Sequence, residues 1–139
     1  MRALLDSSVL IAALDAGDAH HVASDKLLAA GGNLIYQHAL AEVFAILTGG
    51  RLGRRVGAAT AAKLLEQSIV PLVGVVSLNA RETMAALKAA EARGARGGAV
   101  YDLLHLAAAR KARADAVVTL NGRDFQALTI SGDPRIQAP

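Results

Sequence analysis

The chain has no cysteine and no tryptophan, only two tyrosines and two phenylalanines, and three prolines in 139 residues. Without cysteine there are no disulfides, no zinc knuckles and no thiol nucleophile. Four scattered histidines argue against a zinc site as well, so any metal would be a hard cation held by oxygen. Aromatics at 3% cannot make base stacking the main source of affinity for a nucleic acid. No Gly-rich phosphate-binding fingerprint is present, which disfavours a nucleotide-binding domain. No apolar run approaches the roughly 20 residues of a membrane helix, and no basic segment leading into a cleavable apolar stretch opens the chain. A cytoplasmic protein with no membrane partner is the expectation.

What is present is a globular composition, 53% hydrophobic and 19% charged, of a length that suits one domain over 1–139. There is no repeat, linker or low-complexity tract. Strand-like and helical pieces alternate: a strand at 3–5, a helix at 9–14, a loop at 15–18, a helix at 20–30, a strand at 34–36 and a helix at 38–48. A basic Gly-containing loop at 51–57 leads to an Ala-rich helix ending near 68. The β-like run 70–77 precedes a helix capped by Ser77 or Asn79 and extending to about 93. A helix at 100–113, a strand at 116–119 and a last weak strand near 128–130 complete the order. Strands separated by helices predict a mostly parallel sheet covered on both faces, a three-layer α/β/α sandwich.

Lys and Arg number 15 and Asp and Glu 12. Setting aside the four acids considered next leaves 15 bases against eight acids, a basic exterior that favours a polyanion. Much of it falls in two stretches, Arg51, Arg54, Arg55 and Lys63, then Arg81, Lys88, Arg93 and Arg96; each is also what a solvated helix face looks like.

The apolar run Ala3-Leu4-Leu5 stops abruptly at Asp6, two serines follow, and apolar residues resume at Val9. That is strand, tight turn, helix, and ligands of open α/β sheets lie beyond the carboxyl ends of strands. Asp6 is therefore either a site carboxylate or a turn acid, with Ser7 or Ser8 available to cap the helix. Glu42 lies off the core stripe of Leu40, Val43, Phe44 and Leu47, in the second turn of a helix that directly follows a strand. It is either solvated or near the same edge as Asp6. Asp102 sits in the first turn of an apolar helix, where the helix dipole alone could account for it. His105, one turn on, reads as a structural histidine, and Tyr101 and Leu104 as packing. The strand at 116–119 ends in Thr119, Asn121-Gly122 reads as a turn, and Asp124 follows as a cap or a further site acid.

Leu5-Asp6-Ser7-Ser8-Val9-Leu10-Ile11, Ala41-Glu42-Val43-Phe44, Tyr101-Asp102-Leu103-Leu104-His105-Leu106-Ala107 and Val118-Thr119-Leu120-Asn121-Gly122-Arg123-Asp124-Phe125 together resemble the PIN-domain nucleases. The VapC-type toxins of toxin–antitoxin pairs are the nearest likeness. The resemblance spans essentially the whole chain. It implies an α/β/α sandwich, a Mg²⁺- or Mn²⁺-dependent ribonuclease, products with a 5′-phosphate and a 3′-hydroxyl, and usually a homodimer. It further implies a small antitoxin whose tail carries an Arg into the acidic pocket. Asp6, Glu42 and Asp102 fall on the family's three acidic positions; the fourth corresponds to Asn121 in some members and to Asp124 in others. Ser7 and Thr119 would support the ligands through hydrogen bonds. Clustered carboxylates raise one another's pKa unless a cation neutralises them, and a partly hydrated oxygen site suits Mg²⁺. The other readings are a housekeeping PIN nuclease and a non-catalytic RNA- or protein-binding module. A phosphatase of the haloacid-dehalogenase type needs a second Asp where Ser8 stands.

Overall fold

The structure, a computed structural model, describes residues 1–139. In chain order it contains β1 (Ala3–Leu5), α1 (Ser7–Leu14), α2 (His21–Ala29), β2 (Asn33–Tyr36), α3 (His38–Gly49) and α4 (Ala58–Ser68). A single 3₁₀ turn (Val70–Leu72) then precedes β3 (Val73–Val76), α5 (Ala80–Lys88), α6 (Ala90–Arg93), α7 (Ala99–Lys111), β4 (Ala116–Val118), α8 (Gly122–Leu128) and β5 (Arg135–Gln137). The strands form one sheet in the order β3-β2-β1-β4-β5, every pair parallel. Consecutive strands step outward one way from β1 to β3, and the chain then returns to place β4 on the other side of β1. The crevice beyond the carboxyl ends of β1 and β4 is therefore the topological switch point of the sheet.

Alternation along each strand builds two cores. Ala3, Leu5, Ile35, Ala116 and Val118 face one layer with Val9, Leu10 and Val43 from α1 and α3. Leu4, Leu34, Tyr36 and Val117 face the other, against Leu103, Leu104 and Leu106 of α7 and Phe125 and Leu128 of α8. The middle strand β1 is fully buried on both faces, as a central parallel strand should be. Edge strand β3 carries Gly74, where a Cβ would stand 2.8 Å from Leu34 Cδ2, so the glycine allows its neighbour's side chain to close over the sheet.

The structure corrects four sequence readings. The first helix starts at Ser7, directly after Asp6, rather than at 9. The run at 70–77 opens as a 3₁₀ turn containing Pro71, and only Val73–Val76 pairs. The helix extending to 93 breaks at Ala89 into α5 and α6, which ends at Gly94 in a left-handed conformation (φ 75°). The last strand is Arg135–Gln137 and not 128–130: Leu128 lies in α8, three residues after Phe125 on the buried face of that helix. The capping box at Asn79 is present, its side chain accepting from Glu82 N–H while Glu82 accepts from Asn79 N–H. No helix is long and apolar enough to cross a membrane.

Candidate active site

Asp6 follows β1 in extended conformation, so the pleat continues one residue and its side chain shares a direction with Leu4, toward α7. Its backbone N–H donates to Val118 O at 2.9 Å, tying the end of β1 to the end of β4. Asp6 occupies the N-cap position of α1, yet its carboxylate makes no cap bond. Neither serine caps the helix either; both hydroxyls turn to Asp6. Oδ2 accepts from Ser8 Oγ at 2.8 Å and Thr119 Oγ1 at 2.9 Å, and Oδ1 has only a 3.4 Å contact from Ser7 Oγ. Ser8 Oγ in turn accepts from Leu120 N–H at 3.0 Å, and Thr119 Oγ1 from Asn121 N–H at 2.9 Å. Backbone donors thus fix both hydroxyls with their protons aimed at one oxygen of Asp6. The orientation of this 2%-exposed carboxylate is set by the strand-end backbone of β4. Ser8 carries more of this support than Ser7, which the sequence placed in that role.

Glu42 projects from the second turn of α3, and its Oε1 accepts from His105 Nε2 at 2.7 Å. His105 is wholly buried, lies edge-on to Tyr36 (5.3 Å, 83°) and Phe125 (6.3 Å, 76°), and brings Nε2 to 3.9 Å from Asp6 Oδ1. Because a carboxylate only accepts, the ring carries a proton on Nε2, and Nδ1 is left without a partner. His105 is therefore a core residue, as the sequence suggested, and also the group that holds Glu42, which the sequence did not reveal. Asp102, half-buried in the first turn of α7, has its carboxyl pushed up to about 6. Burial is the largest cause, followed by the negative charge of Asp6; nearby His105 opposes the rise, and Asp124 and Glu42 add to it. The Tyr36 phenol is also raised, by burial and then by the charge of Glu42.

Asp6, Ser7, Ser8, Asp18, Glu42, Arg51, Asp102 and Asn121 line one open depression of about 470 Å³ at the switch point. Asp18, absent from the sequence reading, is held in its own turn by His20 N–H at 2.7 Å. Asp124 stands exposed in the first turn of α8, outside that lining but near enough for its charge to act on Asp102. Asn121 occupies the N-cap position of α8 without a side-chain cap bond. Of the bases, Arg51 reaches the depression, whereas Arg54 lines a neighbouring apolar groove with Leu14, Leu47 and Val56. Arg55, Lys63, Arg81, Lys88 and Arg96 are exposed. Arg93 is not available to a phosphate: it pairs with buried Asp133 at 2.6 Å and donates to Leu128 O at 3.0 Å. Tyr101, read from sequence as packing, is exposed and stacks on His38.

No three of the acidic and histidine side chains close on a single point as a finished metal cage. The donor set nonetheless suits Mg²⁺, which keeps several waters and is commonly bound through one or two carboxylates plus substrate phosphate. Asp6 Oδ1 and Glu42 Oε2 are free of strong hydrogen bonds, and the Asp102 carboxyl, raised first by burial and then by the charge of Asp6, is one a nearby cation would hold ionised.

The fold and site together make a parallel α/β/α sandwich with carboxylates from three separate segments at its switch point. Residues 3–130 match the PIN domain family, and the chain belongs to it. Among solved structures, the Mycobacterium tuberculosis VapC20, a sarcin–ricin loop cleaving toxin, is similar with a TM-score of 0.69 and 22% identity, over 96% of this chain and 100% of its own. VapBC2 from Rickettsia felis, bound to a DNA fragment from its promoter, gives 0.67 and 18% over 100% and 99%. FitAcB from Neisseria gonorrhoeae gives 0.66 and 19% over 99% and 96%. At these identities the likeness is one of fold. No curated protein matches the chain by sequence.

Proposed function

We propose that this chain is a single-domain, Mg²⁺- or Mn²⁺-dependent endoribonuclease serving as the toxin of a toxin–antitoxin pair. The observation that carries the reading is the meeting of Asp6, Glu42 and Asp102 at the switch point, each brought by a different element, with the charges of Asp6 and Glu42 acting on Asp102. Membership in the PIN domain family supports it, and likeness to VapC20 and to VapBC complexes supports the toxin role.

In this reading Asp6, Glu42 and Asp102 hold the cation, with Asp124 or Asn121 completing the set. When bound, the cation supplies Lewis acidity toward water and phosphate. The chain does the rest. Ser8 and Thr119 keep Asp6 in one rotamer, and His105 keeps Glu42 in another, so the ligand oxygens need no rearrangement when substrate arrives. Arg51 offers a positive charge at the rim of the depression, where an RNA phosphate would enter. An antitoxin that projects an Arg among these carboxylates would block the site by pairing with them. The active form is a homodimer in this proposal.

The test is cleavage of total RNA with cut sites mapped, in Mg²⁺ and in excess EDTA, by the wild type and by Asp6→Asn. Cleavage lost in EDTA and in a folded variant supports the reading; undiminished cleavage in either refutes it. Growth arrest on expression, relieved by a small co-expressed neighbour, supports the toxin role, and harmless expression of an active enzyme would make it a housekeeping nuclease instead.

A further inference from the structure

Aromatic rings are scarce in this chain, yet they gather beside the acids. Both tyrosines, Phe125 and two of the four histidines form one continuous series of contacts: Tyr101 with His38, His38 with Tyr36, Tyr36 with His105, His105 with Phe125. Tyr36, His105 and Phe125 are buried, and His38 is partly buried. The outer end is open: Tyr101 is 47% exposed, and its ring lies parallel to that of His38 with centroids 5.2 Å apart and planes 5° apart. The Tyr101 ring thus lies parallel to the imidazole in an offset arrangement, with about half of the residue open to solvent.

The position of this pair follows from helix geometry. Tyr101 precedes His105 by four residues on α7, and His38 precedes Glu42 by four residues on α3. Glu42 and His105 are bonded to each other, so the two helices meet in successive rungs. The ring pair lies one rung, about 6 Å along the helix axes, from the Glu42–His105 pair. That is the scale of a single nucleotide. An exposed aromatic ring thus lies one turn from Glu42, next in sequence to Asp102.

We propose that the exposed ring of Tyr101, held parallel to His38, is the platform on which a nucleobase next to the scissile phosphate stacks. The inference rests on the ribonuclease reading above and adds to it how the RNA is positioned. Every base has a π face, so the platform fixes register and accepts all four bases, with purines favoured by their larger area. Tyr101 is thereby a substrate-positioning residue, while the basic exterior supplies attraction without register.

Because the chain lacks tryptophan, Tyr101→Trp installs a single fluorophore at the platform. Metal-free protein in EDTA is titrated with a short single-stranded oligoribonucleotide, then with versions carrying one abasic residue at successive positions. Saturable quenching by the intact strand, lost at one abasic position, is the expected result. In cleavage assays Tyr101→Ala should raise KM about tenfold or more while Tyr101→Phe and Tyr101→Trp stay near wild type. Quenching indifferent to every abasic position, or a wild-type KM in Tyr101→Ala, overturns the proposal. So does a fall in oligomeric mass in Tyr101→Ala, which would make the ring an interface between copies. A wild-type protein that cleaves no RNA overturns the ribonuclease reading itself, whereas an active wild type with an indifferent Tyr101 overturns the platform alone.

Discussion

Asp102→Asn removes a charge that the folded protein tolerates at a cost, and the variant is expected to be more stable than the wild type. In the unfolded chain the carboxyl ionises near its ordinary 3.8; in the folded protein it holds its proton until about 6. As pH rises between those values the unfolded state releases its proton first, so stability falls; above about 6 the penalty is complete, and below 3.8 it is absent. At about 1.4 kcal/mol per unit the full penalty is about 3 kcal/mol. The site is open to solvent, which screens roughly half of it. The first turn of α7 gives back about 0.5 kcal/mol for a negative charge near the helix N-terminus, and the amide forgoes this. The net gain for Asp102→Asn is about 1 kcal/mol at neutral pH and above, or roughly 4 °C in Tm. The assay is thermal or urea unfolding in EDTA from about pH 4 to pH 8. The gap between variant and wild type should be near zero at the acid end and open as pH passes through the range between the two pKa values. Adding Mg²⁺ should then raise the wild type by more than the variant. A variant less stable at the alkaline end, or a gap independent of pH, would refute the account of a repelled, partly buried carboxylate.

Other outcomes follow from the same geometry. Replacing exposed Arg54 and Arg55 together should weaken RNA binding by a catalytically dead variant and lower the slope of log affinity against log salt by about 1.4; an unchanged slope would place the RNA elsewhere. Arg93→Ala should cost about 2–3 kcal/mol in urea unfolding, since the Asp133 side chain is 1% exposed and keeps Arg110 as its other cation, and it should leave RNA affinity intact. Asp124→Asn should raise the Mg²⁺ concentration needed for cleavage far more than Asn121→Ala does, because only the acid contributes charge; equal effects would remove Asp124 from the ligand set.

How far the sequence could be read depended on how local each signal was. Asp6 stood out because an apolar run ended on it, and Asn79 because its capping box closes within one turn. Arg93 looked like any surface base, since Asp133, which engages it, lies 40 residues further on. The last strand was misplaced because Leu128 is apolar in either role. Only its burial with Phe125 on the α8 face, and the pairing of Val118 with Gln137, separates helix from strand.

The sequence by itself determined the parallel α/β/α class and the strand-end position of Asp6, through period-2 and period-3.6 patterning that each segment carries alone. The tertiary structure alone decided what surrounds the acids. Ser8 and Thr119 converge on one oxygen of Asp6 from 111 residues apart, and His105 reaches Glu42 across 63. His38 and Tyr101 meet because they stand, on α3 and α7, one turn before Glu42 and His105, which are bonded to each other. Such pairings are set by the packing of helices on a sheet. A one-dimensional pattern records which face of an element is buried and says nothing of which residue lies opposite.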